Sequence, residues 1–332
     1  MAIQIGLIGA GRMGNVHASI LAHHLADAQL VAIADVDAER AQSVAQRLGV
    51  PRHYSDYREL LASDIDACVI ATPSHTHEEL VRAALLARRP VFCEKPLTLT
   101  LATSAALSAL AADTGVPLQV GFNYRYHPAY KAARAALLAG EIGKPLLFKA
   151  LQRDELMPSP AFCRPESSGG ILVDMGIHEF DLMRWFFEDE VREVYALAPP
   201  VSDERIRAAG DLDRALICLR LRSGTVGSVE LARNVYYSDE SRHDLLGSAG
   251  TMIVGQPPQT NLLIANPERL RGEGHRESVG SMNESYRAEM AAFLHIVATG
   301  GTPEADGAAS LAALNIALAA YKSLQEGIPI QL

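Results

Sequence analysis

The sequence predicts an α/β protein in two parts, an N-terminal doubly wound parallel sheet followed by an α/β domain with a large, open, mostly antiparallel sheet. Three observations predict it. Short apolar runs alternate with amphipathic stretches from residue 3 to about 121, the pattern of successive βαβ units. That rhythm ends after Gly121, where segments that alternate apolar and polar residues take over. A chain of 332 residues also exceeds the size at which one hydrophobic core stops growing, so two domains are expected, 1–121 and 122–332.

Each element follows from local pattern. Residues 3–8, 30–34, 67–71, 90–93 and 118–120 are short and apolar, as strands buried on both faces are. Between them, 15–26, 38–48, 76–87 and 99–114 carry apolar residues at helical spacing, with Asp37 placed as an N-cap. Beyond Gly121 a helix is expected over 128–139 and a strand over 145–152, then a Pro/Ser-rich loop to Gly170. Segments 215–221 and 226–231 flank Arg222-Ser223-Gly224-Thr225 as an antiparallel hairpin would. The Ala-rich stretches 284–298 and 307–325 read as helices able to pack back on either domain.

Composition narrows the function. Hydrophobic residues make up 48% and charged residues 21%, a globular composition. The net charge is −9 with no run of Lys or Arg, which argues against nucleic acid as a partner. The first strand begins almost at Met1, and no apolar stretch near the roughly 20 residues of a membrane span is read, so a cytoplasmic protein without a membrane partner is expected. Cys68, Cys93, Cys163 and Cys218 lack Cys-x-x-Cys spacing and are read as reduced packing residues.

Gly9-Ala10-Gly11-Arg12-Met13-Gly14 fits Gly-x-Gly-x-x-Gly between a strand and a helix, which is the dinucleotide-binding context. Gly9 permits the tight turn, Gly11 the approach of a pyrophosphate and Gly14 the packing of helix on strand. Arg12 and Met13 lie inside the same loop. Asp35 ends the second strand, where a carboxylate accepts the adenosine ribose hydroxyls, and neither Val36 nor Asp37 would compensate a 2′-phosphate. The cofactor expected is therefore NAD rather than NADP. Thr72, Pro73 and His75 follow the third apolar strand at the carboxyl edge of the sheet, and Glu94 and Lys95 follow the next, so all five are expected to border the cofactor.

Lys95 could equally be a surface lysine before Pro96. Asp174 and His178, four residues apart, share a face if the segment is one helix, with Asp174 as cap and His178 as a core histidine the structural alternative. A histidine suits removal of a hydroxyl proton near neutral pH. A metal centre is not expected, because neither Asp174 with His178 nor His75 with His77 has further ligands at recognisable spacing.

Taken together, Gly9 to Gly14, Ala71-Thr72-Pro73, Glu94-Lys95-Pro96, Gly121-Phe122-Asn123-Tyr124-Arg125-Tyr126, Glu141-Ile142-Gly143-Lys144-Pro145, and Gly169-Gly170 leading to Asp174 and His178 resemble the Gfo/Idh/MocA oxidoreductases over nearly the whole chain. The resemblance implies a Rossmann domain and a sheet platform that pairs copies into a homodimer or homotetramer. It further implies oxidation of a secondary hydroxyl of a cyclic polyol or sugar, inositol-like or aldose, by hydride transfer to NAD. His178 is implied as base, Lys95 as the cation beside the developing alkoxide, Asp174 as holding a neighbouring hydroxyl or orienting the base, and Arg125 and Asp154 as further substrate contacts. Tyr124 stands where the family usually has a first arginine, and Gln152 and Asp154 replace a histidine and an asparagine, which opens the substrate beyond inositol. Tyr236 or Tyr237 could also reach substrate, although a sheet-surface pair reads more simply. The rival functions are an NAD-dependent glycoside hydrolase, which would turn over without net NADH, and a non-catalytic NAD-binding sensor.

Overall fold

A computed structural model of the chain describes residues 2–236, 239–255, 263–265, 270–272 and 280–332, with side chains described outside 263–265, 270–272 and 280–283. Tyr237, one of the two sheet-end tyrosines, lies outside the described residues. The chain divides into two compact units, residues 1–127 with 283–311 and residues 128–282 with 312–332.

The first unit is built from β1 (Ile3–Ile8), α1 (Arg12–His23), β2 (Ala28–Ala34), α2 (Ala38–Leu48), β3 (Arg52–Tyr54), α3 (Tyr57–Ala62), β4 (Ala67–Ile70), α4 (His77–Leu86), β5 (Val91–Cys93), α5 (Leu101–Thr114) and β6 (Leu118–Val120). All six strands are parallel, in the order β3-β2-β1-β4-β5-β6. The order reverses between β1 and β4, and ligands bind outside the carboxyl ends of the strands at such a point. Ile5, Leu7, Ile33, Val69 and Phe92 are fully buried there, and Met290, Phe293 and Leu294 from α12 (Gly280–Thr299) complete the same core. Asp37 caps α2 as expected, accepting the Arg40 N–H at 3.1 Å. The sequence reading lacked β3 and α3. Arg-His-Tyr is a three-residue polar edge strand, and six residues of helix are too few for a periodicity to show.

The second unit contains α6 (Pro128–Leu138), β7 (Pro145–Asp154), α7 (Pro160–Cys163), α8 (Pro165–Ser168), α9 (Gly170–Asp174), α10 (Gly176–Phe187), β8 (Val191–Leu197), α11 (Glu204–Ala209), β9 (Arg214–Leu221), β10 (Val226–Arg233), β11 (Glu240–Gly247) and β12 (Thr251–Gly255), and the short pair β13 (Leu263–Ala265) and β14 (Leu270–Gly272). With β15 (Ile330–Gln331) it forms a seven-stranded sheet, β12-β11-β7-β10-β9-β8-β15, in which only β7 and β10 run parallel. Helix α10 lies on its covered face. Gly227 makes room for it, since a Cβ there would come within 2.9 Å of the Met183 sulfur. Phe148, fully buried, packs under Phe186, Phe187 and His243.

Four expectations are corrected. The Pro/Ser-rich segment is not an open loop but contains α7, capped by Ser159, and α8. Asp174 and His178 do not share one continuous helix, because α9 ends at Asp174 and α10 begins at Gly176. Cys218 is exposed on β9, and Cys68, Cys93 and Cys163 alone are packing thiols; burial pushes the Cys68 thiol up to about 12. Finally, α13 (Gly307–Glu326) is long and apolar enough by composition to cross a membrane, although 56% of that stretch is buried, as in a core helix.

Removing the Phe148 ring leaves a cavity under α10. Phe148→Ala is expected to cost about 3–5 kcal/mol, lowering the calorimetric transition of the second unit while fluorescence titration still detects NADH binding by the first.

Candidate active site

In the first unit the glycine loop is held by backbone contacts that no side chain could tolerate. Gly9 has φ +97°, and a Cβ on it would meet the Ala71 carbonyl oxygen at 2.5 Å; a Cβ on Gly14 would meet the Gly9 carbonyl oxygen at 2.0 Å. These two positions bring the ends of β1 and β4 together. Gly11 faces open space and caps α1 without any side-chain hydrogen bond, and no acidic residue stands in the first helical turn. The N–H groups there are oriented for an anion, and the missing Cβ lets a phosphate approach, so the loop fits an NAD pyrophosphate. Arg12 is exposed at its rim, and Met13 packs partly into the core.

Asp35 is 8% exposed, and its carboxylate accepts the N–H of Ala10 at 2.8 Å and that of Asp37 at 2.9 Å. It therefore shapes the glycine loop as well as standing at the ribose position. The sequence reading missed two residues here. Asn15 donates to the carbonyls of Ala10 and Gly11 at 2.8 and 2.9 Å, and Arg40, one turn past Asp37, lies 3.6 Å from Asp35. The Arg40 charge is shared with Asp37 at 2.9 Å.

Thr72, Pro73 and His75 lie along the β4 edge, with Pro73 and His75 exposed. Thr72 Oγ1 bonds Thr76 Oγ1 at 2.7 Å. His77, buried, sets its two ring nitrogens against the carbonyls of Thr72 and Pro96 at 2.9 and 2.8 Å, tying the β4 edge to the Lys95-Pro96 turn. Burial holds its pKa below the ordinary histidine value although both carbonyls favour the proton. With both nitrogens engaged, His77 is a strut rather than a metal ligand.

Lys95 is half-buried just past β5, and its backbone N–H donates to Glu94 Oε2 at 3.2 Å. The Glu94 carboxylate itself is buried, with Oε1 2.6 Å from His17 Nε2. Arg125 sits buried in the turn Asn123–Tyr126 and donates to the Glu304 carbonyl at 2.6 Å.

In the second unit the β7–β10 register sets Asp154 opposite Arg233 at one end of the sheet. Arg233 is wholly buried, and its guanidinium bridges Asp211 and Asp174, reaching Asp174 Oδ2 at 3.1 Å. Burial works against its charge, but the two carboxylates outweigh it, and its pKa lies above the ordinary arginine value. Asp211 also accepts the Ile171 N–H at 2.9 Å, so one carboxylate fixes both the arginine and the start of α9. Gly169 and Gly170 make this possible. Both have positive φ, and a Cβ on Gly170 would strike the Tyr321 hydroxyl at 2.2 Å and Asp211 Oδ1 at 2.6 Å. His178 stands half-buried in the first turn of α10, its N–H bonded to the Met175 carbonyl at 3.3 Å. On β7 the Gln152 amide faces the Met175 carbonyl and Glu179 Oε1, both 3.0 Å from the atom that satisfies them when it is the amide nitrogen, and Glu179 holds His243 at 2.5 Å.

The structure thus gathers Gly9, Gly11, Gly14, Asp35, Thr72 and Pro73 around the β1–β4 edge, and Asp154, Arg233 and Asp174 around one sheet end. Arg233 and Asp211 escaped the sequence reading, and only the Asp-x-Asp step and the Arg at the end of a strand pattern hinted at them. Tyr236 has a left-handed backbone, with its hydroxyl taking the Asn234 amide at 2.6 Å.

Comparison with known proteins agrees with this layout. Residues 3–122 match the oxidoreductase family with an NAD-binding Rossmann fold, Gfo/Idh/MocA, and residues 130–253 match its C-terminal domain. The chain is 35% identical to the myo-inositol 2-dehydrogenase of Thermotoga maritima over 99% of its own length and 98% of that protein's. It is 33% identical to the scyllo-inositol 2-dehydrogenase (NAD(+)) of Bacillus subtilis, covering 99% and 96%. The crystal structure of scyllo-inositol dehydrogenase from Lactobacillus casei with bound NAD(H) and scyllo-inositol superposes with a TM-score of 0.87 at 25% identity, covering 100% and 99%.

Two substitutions test the geometry. Gly14→Ala drives a methyl group into the Gly9 carbonyl and is expected to abolish NADH binding in a fluorescence titration. Arg233→Met leaves the buried Asp211 and the partly buried Asp174 without their cation, and chemical denaturation should show a loss of about 3–5 kcal/mol.

Proposed function

Because this chain belongs to the Gfo/Idh/MocA oxidoreductase family, we propose that it oxidises a ring hydroxyl of an inositol, using NAD. It is an NAD-dependent polyol dehydrogenase acting on a CH–OH group. The single observation that carries the inositol assignment is end-to-end similarity to inositol dehydrogenases.

Bound NAD supplies the hydride acceptor. The loop Gly9 to Gly14, with Arg12 and Met13, is assigned to the pyrophosphate, Asp35 to the ribose, and Thr72, Pro73, His75, Glu94 and Lys95 to the edge nearer the nicotinamide. His178 takes the proton of the substrate hydroxyl, and the Lys95 ammonium stabilises the alkoxide that develops. Asp174 accepts from a neighbouring ring hydroxyl, a task for which Arg233 holds one of its oxygens in place. Arg125 and Asp154 are assigned to further hydroxyls of the ring.

A cytoplasmic homo-oligomer is proposed as the working form. Support comes from the outer face of the seven-stranded sheet, where Leu216 on β9 is 44% exposed and Leu197 on β8 is 53% exposed. Apolar side chains on such a face favour pairing with a second copy.

The purified protein should generate NADH from myo-inositol or scyllo-inositol with NAD, and much more slowly with NADP. Lys95→Ala and His178→Ala should each lower kcat by about 10²–10⁴-fold without loss of NADH binding. Turnover of a glycoside without net NADH would favour the hydrolase instead, and NAD binding without turnover of either class would favour the sensor.

A further inference from the structure

Glu289, on α12, is fully buried, and neither of its carboxylate oxygens has a hydrogen-bond partner among the described residues. Its side chain lies in a cluster with His17 and Glu94, one ligand-type atom of each within 4.8 Å of the others. The walls are apolar. The His17 ring meets Phe92 edge-on at 5.1 Å and Tyr286 at 6.0 Å, and Phe92 meets Phe293. Two ionised carboxylates in such a place would repel at low dielectric, so the cluster must take up a cation or a proton.

The geometry favours the proton. Ligands sharing a small divalent ion at 2.0–2.2 Å and a tetrahedral angle stand about 3.4 Å apart, whereas His17 Nε2 and Glu94 Oε1 are 2.6 Å apart, a hydrogen-bond distance. Glu94 is already committed, accepting from His17 and from the Lys95 N–H, and Gly121 packs closely enough that a Cβ would sit 3.0 Å from Glu94 Oε2. His17 Nδ1 is buried as well and has no hydrogen-bond partner among the described residues. An ionised Glu289 would add acceptors to a cluster short of donors; an un-ionised Glu289 adds a donor.

We propose that Glu289 is a positioning residue that stands un-ionised in the folded protein, keeps an O–H beside the His17–Glu94 pair, within 4.8 Å of both, and so leaves Glu94 the one anion gripping the Lys95 backbone. Its link to turnover rests on the catalytic reading of Lys95. Burial and the neighbouring Glu94 charge both push the Glu289 pKa well above the ordinary carboxyl value. The titratable groups around it are His17 from α1, Cys93 and Glu94 at the β5 end, Tyr126 from the turn after β6, and Tyr286 on its own helix. The folded protein then keeps a proton that the unfolded chain has released, so stability is full below the ordinary carboxyl range and falls as pH rises toward the ionisation of Glu289.

Infrared spectra of the full-length protein at neutral pH should show the C=O stretch of an un-ionised acid that Glu289→Gln removes, with no stoichiometric metal by elemental analysis. Glu289→Gln should also flatten the decline in melting temperature with rising pH. Glu289→Leu, which removes the donor, should lower kcat by about 10²-fold with little change in inositol KM, and Glu289→Gln should restore most of it. Absence of that band, or a bound metal, overturns the protonation. A band with equal kcat in the Leu and Gln variants overturns the positioning role. If no inositol is oxidised, the substrate reading fails separately, and NADH affinity measured against pH in the same variants takes the place of kcat.

Discussion

The fixed charge of Arg233 is the interaction on which the proposed substrate side depends. A guanidinium with no exposed surface is held only where carboxylates meet it from more than one side, and here Asp211 and Asp174 do so. The same Asp211 ties the Ile171 N–H, and Gly170 leaves room for the Tyr321 hydroxyl beside it. Asp174 is thereby specified from behind. Its position comes from strand β10 through Arg233 and from helix α9 through its own backbone.

The cofactor side obeys a different constraint, the contact of backbone with backbone. Gly9 and Gly14 are required because carbonyl oxygens occupy the space a side chain would take, whereas Gly11 is required because that space must stay open. Asp35, Asn15 and His77 then act as struts on the loops these glycines permit. Loops braced in this way lower the ordering cost of binding a dinucleotide.

Much of this was legible in the sequence, and the reason differs by element. Strands β1 and β6 and helix α2 were read to the residue because a doubly buried strand and a capped amphipathic helix leave strong local patterns. The glycine loop was legible because its chemistry is sequential, three glycines within six residues. Arg233, Asp211, Glu289 and His17 were not, since their partners lie 22 to 77 residues away, or on α12, and no local spacing marks a buried ion pair. The break at Met175 was hidden because an apolar helical pattern runs through it, while the left-handed Gly169-Gly170 pair sets the start of α9.

Substrate choice then follows from where variation is tolerable. Asp174 is locked by Arg233, and the glycine loop is locked by its carbonyl contacts, so neither can change without loss of the fold around it. Asp154 ends a strand beside Arg233, and Gln152, two residues earlier on β7, braces Glu179 and the Met175 carbonyl. On the proposed function, a change at the end of β7 would alter the hydroxyl pattern offered to a ring while leaving the buried Arg233–Asp211 pair in place.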